Sequence, residues 1–111
     1  MDHSETIDRA LLLDFYGELL TEKQRKYWDL HWNEDYSLAE IAELDGLSRQ
    51  GVWAILRRAE ANLTEIEEKT GLIRRFLNRR TEIQKFRAEL QRRLPDNDDS
   101  RRLLAELDGL I

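Results

Sequence analysis

Six side chains between Ser48 and Arg58 carry the chemistry best suited to reading a nucleic acid. Gln50 can hydrogen-bond an adenine edge and Arg57 a guanine edge in a major groove, and Ala54 leaves room for close approach. Arg49 and Ser48 stand where a helix would begin, a position suited to phosphate. Trp53 falls toward one flank of that helix and Arg58 toward the other. An indole there can meet a thymine methyl group or a deoxyribose, or anchor a protein partner. Outward Arg and Gln are equally what a solvated helix face presents, so residue types leave base reading and plain solvation both open. A second cationic set, Arg74, Lys85 and Arg92, shares one face of a later helix and could follow an RNA backbone or simply face water. Catalysis finds little footing. There is no glycine-rich phosphate loop, no HExxH, no GxSxG and no cysteine. His3 and His31 lie far apart with no evident metal partners, so no cofactor and no enzymatic activity are expected.

These side chains need a frame, and the stretch from Ser37 to Arg58 supplies one. Ser37 and Glu40 form a capping box that opens a short helix at Leu38, with Leu38, Ile41, Ala42 and Leu44 as its apolar face. Asp45-Gly46 ends it, since glycine takes the left-handed conformation of a C-terminal cap at little cost. Leu47 is expected to point into the core, and Ser48 to cap a second helix opening at Arg49. Val52, Ile55, Leu56, Ala59, Leu63 and Ile66 share one side of it at helical spacing. Short helix, glycine turn and second helix make a helix-turn-helix, and small Ala42 suits the close crossing of the two axes.

The rest of the chain reads as helices. A first covers about residues 6–20, and a capping box of Thr21 and Gln24 opens a second that ends near Asn33. Trp28 and Trp32, four residues apart, read as core anchors. The second helix of the motif continues to about Lys69, Thr70-Gly71 interrupts, and a fifth helix spans Leu72 to about Arg93. Its apolar stripe is Leu72, Phe76, Ile83, Phe86, Leu90 and Leu94. Phe76, Ile83 and Leu90 have the seven-residue spacing of a short coiled-coil seam, broken by Arg79. Phe76, Ile83, Phe86 and Leu90, with the terminal helix, predict a homodimer interface. Pro95 ends that helix, and Ser100 is expected to cap a last one carrying Leu103, Leu104, Leu107, Leu110 and Ile111. The fold class is therefore all-α, with a helix-turn-helix domain over 1–71 and a helical extension over 72–111.

The 111 residues carry a net charge of −5, unevenly placed. Residues 1–47 hold 12 acidic and 4 basic side chains, residues 48–95 hold 6 and 12, and residues 96–111 hold 5 and 2. Positive charge begins where the second helix of the motif begins, so a polyanion partner is compatible with an acidic chain, though with modest non-specific affinity. No apolar run approaches the length of a membrane span, no signal-peptide pattern precedes the first helix, and the absence of cysteine permits a cytoplasmic setting.

Asp14-Phe15-Tyr16, the run LLTEKQR at 19–25, DYSLAEIA at 35–42 and SRQGV at 48–52 together carry a resemblance. The chain resembles the YlxM-like DNA-binding proteins of bacteria, which are themselves similar to the promoter-reading helix-turn-helix of sigma factor region 4. The resemblance covers about residues 11–72 and, with the layout of the tail, extends to the whole chain. It implies DNA as partner and a regulatory role connected with the signal recognition particle, whose protein or RNA is the alternative partner. Trp53 stands where the family usually has Tyr, and Gly51 where Ala is expected.

Overall fold

The computed structural model describes residues 8–110, so His3, Ile7 and Ile111 lie outside the described residues. Six α-helices carry this part of the chain: α1 (Arg9–Tyr16), α2 (Glu22–Trp28), α3 (Leu38–Asp45), α4 (Arg49–Thr70), α5 (Leu72–Arg93) and α6 (Asp98–Asp108). No strand occurs among the described residues. The chain is an all-α helix-turn-helix protein, divided into two compact units between Gly71 and Leu72.

In the first unit, α4 is the axis against which α1, α2 and α3 pack. Its core stripe is Val52, Leu56, Ala59 and Leu63, all buried, facing Leu12 and Tyr16 of α1, Tyr27 and Trp28 of α2, and Ile41 and Ala42 of α3. The expected stripe needs adjusting at two positions. Ile55 and Ile66 are only half-buried, and Glu67 occupies the next core position. A buried carboxylate is tolerable because the Tyr16 hydroxyl donates to Glu67 Oε1 at 2.6 Å, and Thr70 Oγ1 lies 2.6 Å from the same phenol oxygen. The phenol's one proton goes to Glu67, which leaves Thr70 to donate to the phenol oxygen.

Helix ends follow local chemistry, with four departures from expectation. Asp8 caps α1 through its bond from the Ala10 N–H, so this helix begins at Arg9 rather than near residue 6. It also stops at Tyr16, where a 3-10 turn, Gly17–Leu19, carries the chain to the Thr21–Gln24 capping box. The second helix does run to Asn33, but Asp29–Asn33 is a π-turn. Asp35 then takes φ 61°, a left-handed conformation that Asp tolerates better than most residues. Finally, Asn97, not Ser100, caps α6: its side chain accepts from the Ser100 N–H at 2.8 Å, and Ser100 is buried in the first turn.

Trp28 is buried, and Trp32 packs edge-on against it with ring centroids 4.9 Å apart, so the pair anchors the core side of this segment. The Arg9 guanidinium lies 4.4 Å from the Trp32 ring centroid, covering what remains exposed. In the second unit α6 packs antiparallel in sequence order against α5, with Arg87 bonded to both carboxylate oxygens of Asp108 at 2.6 and 3.2 Å.

Candidate nucleic-acid interface

The helix-turn-helix is built from three satisfied caps. Ser37 and Glu40 exchange both bonds of a capping box, at 2.7 and 3.0 Å. The hydrogen bond from the Ser37 backbone N–H foremost, and the Ser37 hydroxyl second, hold the Glu40 carboxyl below its ordinary range. Gly46, at φ 68° and ψ 31°, closes α3 by donating to the Ala42 carbonyl, and the Leu47 N–H donates there too at 2.9 Å. Ser48 Oγ accepts from the Gly51 N–H at 3.0 Å and starts α4. Two apolar expectations fail at this turn. Leu44 is 60% exposed, lying to the side of the Ile41–Ala42 face of α3, and Leu47, in the turn, is 37% exposed.

A lock between α2 and α3 holds the motif in place. The Tyr27 hydroxyl, on a fully buried ring, donates to Asp45 Oδ2 at 2.6 Å, while Lys26 Nζ bonds Oδ1 and Oδ2 at 3.1 and 3.2 Å. Burial, then the hydrogen bond and charge of Asp45, push the Tyr27 phenol up to about 12. The Tyr27 and Lys26 hydrogen bonds hold the Asp45 carboxyl below its ordinary 3.8.

The outer face of α4 then presents the six expected residues. At 100° per residue, Gln50, Ala54 and Arg57 lie opposite the Val52–Leu56–Ala59 core face, with Arg49 and Trp53 toward one flank and Arg58 toward the other. Gln50, Trp53, Arg57, Arg58 and Arg49 are all exposed. Ser48 uses a lone pair in the cap but keeps its hydroxyl proton for an outside acceptor. Leu38, Arg49, Gln50 and Trp53 line an open cleft of about 360 Å³ on the α3 side. The Arg57 guanidinium carbon lies 5.9 Å from the Trp53 ring centroid, at the edge of cation–π range.

The charge pattern on this face comes from pairing. In the described part of the first unit, Arg9 pairs with Glu60, Arg25 with Asp29, Lys26 with Asp45 and Lys69 with Glu65. No ion pair among the described residues engages Lys23, Arg49, Arg57 or Arg58. Arg57 has a carboxylate one turn ahead in Glu60, but Arg9 of α1 holds Glu60 at 3.2 Å. Lys23 was not among the expected site residues. A signal for it existed in the sequence: it has no acid at three- or four-residue spacing in either direction. The second cationic set is less available. Arg92 is paired with Glu89, whereas Lys85 has no ion pair among the described residues.

Comparison with known proteins agrees with this architecture. Residues 3–105 match the family described as "Putative helix-turn-helix protein, YlxM / p13 like". The chain belongs to this family. Among its relatives is the UPF0122 protein of Geobacillus kaustophilus, 43% identical over 106 residues that make up 96% of each chain. The UPF0122 protein of Acetivibrio thermocellus is 53% identical over 81 residues, covering 70% of this chain and 69% of the relative. That of Halalkalibacterium halodurans is 42% identical over 106 residues, again 96% of each. The family match spans both units, and the motif of α3, turn and α4 is the feature its description names. No helix among the described residues is long and apolar enough to cross a membrane, and no cluster of metal-ligating side chains occurs among them.

Proposed function

We propose that this member of the helix-turn-helix family is a cytoplasmic DNA-binding regulator that lays the N-terminal half of α4 in a major groove. The observation carrying this reading is the confinement of unpaired cations in the described first unit to Lys23 and the first three turns of α4, beyond which Glu60, Glu65 and Glu68 follow. A recognition helix reads bases with its N-terminal residues, so that is where a polyanion needs a positive surface. Gln50 and Arg57 are assigned to base edges, Arg49 and Ser48 to phosphate, and Trp53 to a thymine methyl group or sugar. Similarity to sigma region 4 supports duplex reading, and the same resemblance is the support for placing the role in the signal recognition particle pathway. The protein acts as a homodimer joined through α5, by Phe76, Ile83, Phe86 and Leu90, together with the terminal helix α6.

Titration against genomic DNA fragments and signal recognition particle RNA, side by side at several salt concentrations, tests the reading. At a specific DNA site, Gln50→Ala and Arg57→Ala should each cost roughly 1–3 kcal/mol, with a much smaller effect on random duplex. Specific binding that survives loss of both refutes the groove assignment. RNA binding that depends on Arg74, Lys85 and Arg92 instead would make the protein an adaptor of the particle.

A further inference from the structure

The outer half of α4 is flanked by two clefts, only one of which the base-reading assignment uses. On the α3 side lies the cleft of Leu38, Arg49, Gln50 and Trp53. On the α2 side a second cleft, of about 320 Å³, is lined by Thr21, Lys23, Gln24, Ala54, Ile55 and Arg58. Ala54 belongs both to this cleft and to the outward face between Gln50 and Arg57, so the cleft adjoins the surface assigned to base reading. Two cations from different helices converge on it, and neither has an ion-pair partner among the described residues. Their backbones are well fixed. Thr21 and Gln24 exchange capping-box bonds of 3.0 and 3.1 Å around Lys23, and Arg58 lies mid-way along α4, beside buried Leu56 and Ala59.

We propose that Lys23 and Arg58 form a clamp for a backbone phosphate of duplex DNA, on the strand opposite the one met by Arg49. The inference rests on the groove-reading assignment above and adds the wall contact on its second side. A helix seated in a major groove about 12 Å wide has a sugar-phosphate strand along each side. Arg49 and Arg58 lie on opposite flanks of α4 and point toward those two walls. Lys23 reaches the second wall from α2, so α2 and α4 together fix how deeply and at what angle the recognition helix sits. Phosphate contacts carry no sequence information, and the clamp therefore sets register and affinity rather than base preference.

The test uses the full chain and a labelled random-sequence duplex, with anisotropy followed from about 50 to about 200 mM salt. The Lys23→Ala/Arg58→Ala double variant should weaken binding and lower the slope of log affinity against log salt by about 0.9, the loss of one phosphate contact. Its ratio of affinities for a selected genomic fragment over random duplex should be unchanged. Lys69→Ala, which removes a cation already paired with Glu65, should leave the slope as it was. Both sites are on the surface, and matching thermal melts of variant and parent confirm that folding is intact. A parent-like slope in the double variant overturns the clamp while leaving groove reading standing. A clamp variant that loses sequence preference along with affinity also overturns it, because the pair would then be reading bases. Failure of the parent chain to bind either duplex overturns the clamp together with the groove assignment.

Discussion

Arg57 owes its freedom to a contact made by another helix. Glu60 stands one turn along α4 and would be its natural partner, but Arg9 holds that carboxylate from α1 at 3.2 Å. Arg9→Ala should therefore release Glu60 toward Arg57 and weaken DNA binding, and adding Glu60→Ala should restore it. Anisotropy on the three proteins checks this; unchanged binding in the single variant would show that Arg57 does not compete for Glu60. The Tyr27–Asp45 bond makes a second prediction at this scale. Asp45 is held below 3.8, so its contribution is complete above that value and is lost as pH falls through its lowered folded value. Tyr27 is raised from 10.0 to about 12, so its contribution is complete below pH 10 and is lost as pH rises toward 12. Denaturation midpoints across pH should fall on both arms. Asp45→Asn, which keeps an acceptor for the phenol but removes the charge, should flatten the acid arm and reduce the alkaline one.

At the scale of elements, three substitutions separate caps from packing. Ser37→Ala removes the α3 cap and should cost about 1 kcal/mol in denaturant unfolding. Gly46→Ala should cost roughly 1–2 kcal/mol. No heavy atom lies within 4 Å of where its new Cβ would sit, so that cost is the left-handed backbone itself. Gly51→Ala works in the other direction. A Cβ there would meet only Ser48 Oγ, at 3.2 Å, and the helix gains up to about 1 kcal/mol of propensity. A small net stabilisation is expected, and destabilisation would mean that the Ser48 cap cannot yield. The π-turn at Asp29–Asn33 has a role at this scale too. It carries Trp32 to the Arg9 guanidinium and delivers the chain to Ser37, with the Tyr36 N–H bonded to the Leu30 carbonyl at 2.8 Å.

For the whole molecule, the second unit carries the apolar surface that association would cover. Its α5–α6 hairpin is about 40 residues, a size at which oligomerisation is often needed for stability. Phe86 and Leu103 are each 58% exposed and Leu110 73%. Sedimentation at micromolar concentration should return a dimer mass, and Phe86→Glu should shift it to monomer without loss of helix by circular dichroism. A monomer mass for the parent at every concentration would remove the dimer.

Much of this fold was legible in the chain because it is encoded locally. Ser37 with Glu40, Thr21 with Gln24, and Ser48 before Arg49 each satisfy orphan N–H groups within a few residues of themselves, and all three caps are present. The Val52–Leu56–Ala59–Leu63 stripe is likewise a property of helical periodicity alone, and α5 spans Leu72–Arg93 as its breakers imply. What failed to show was set by neighbours distant in sequence or by the local path of the backbone. Glu67 is buried and takes a hydrogen bond from Tyr16, 51 positions away, and hydrophobic patterning passes over such a residue. Leu44 and Leu47 look like core residues, yet Leu44 lies off the buried face of α3 and Leu47 sits in the turn beyond it. Asn97 rather than Ser100 caps α6; both are preferred N-cap types, so residue type alone does not choose between them. The candidate site divides the same way. Gln50 and Arg57 share the outward surface and Arg49 its flank by periodicity, whereas Arg57's freedom from Glu60 and the meeting of Lys23 with Arg58 across a cleft exist only because α1 and α2 pack on α4. Periodicity decides which side of a helix a residue occupies; packing decides which charges that side leaves unpaired.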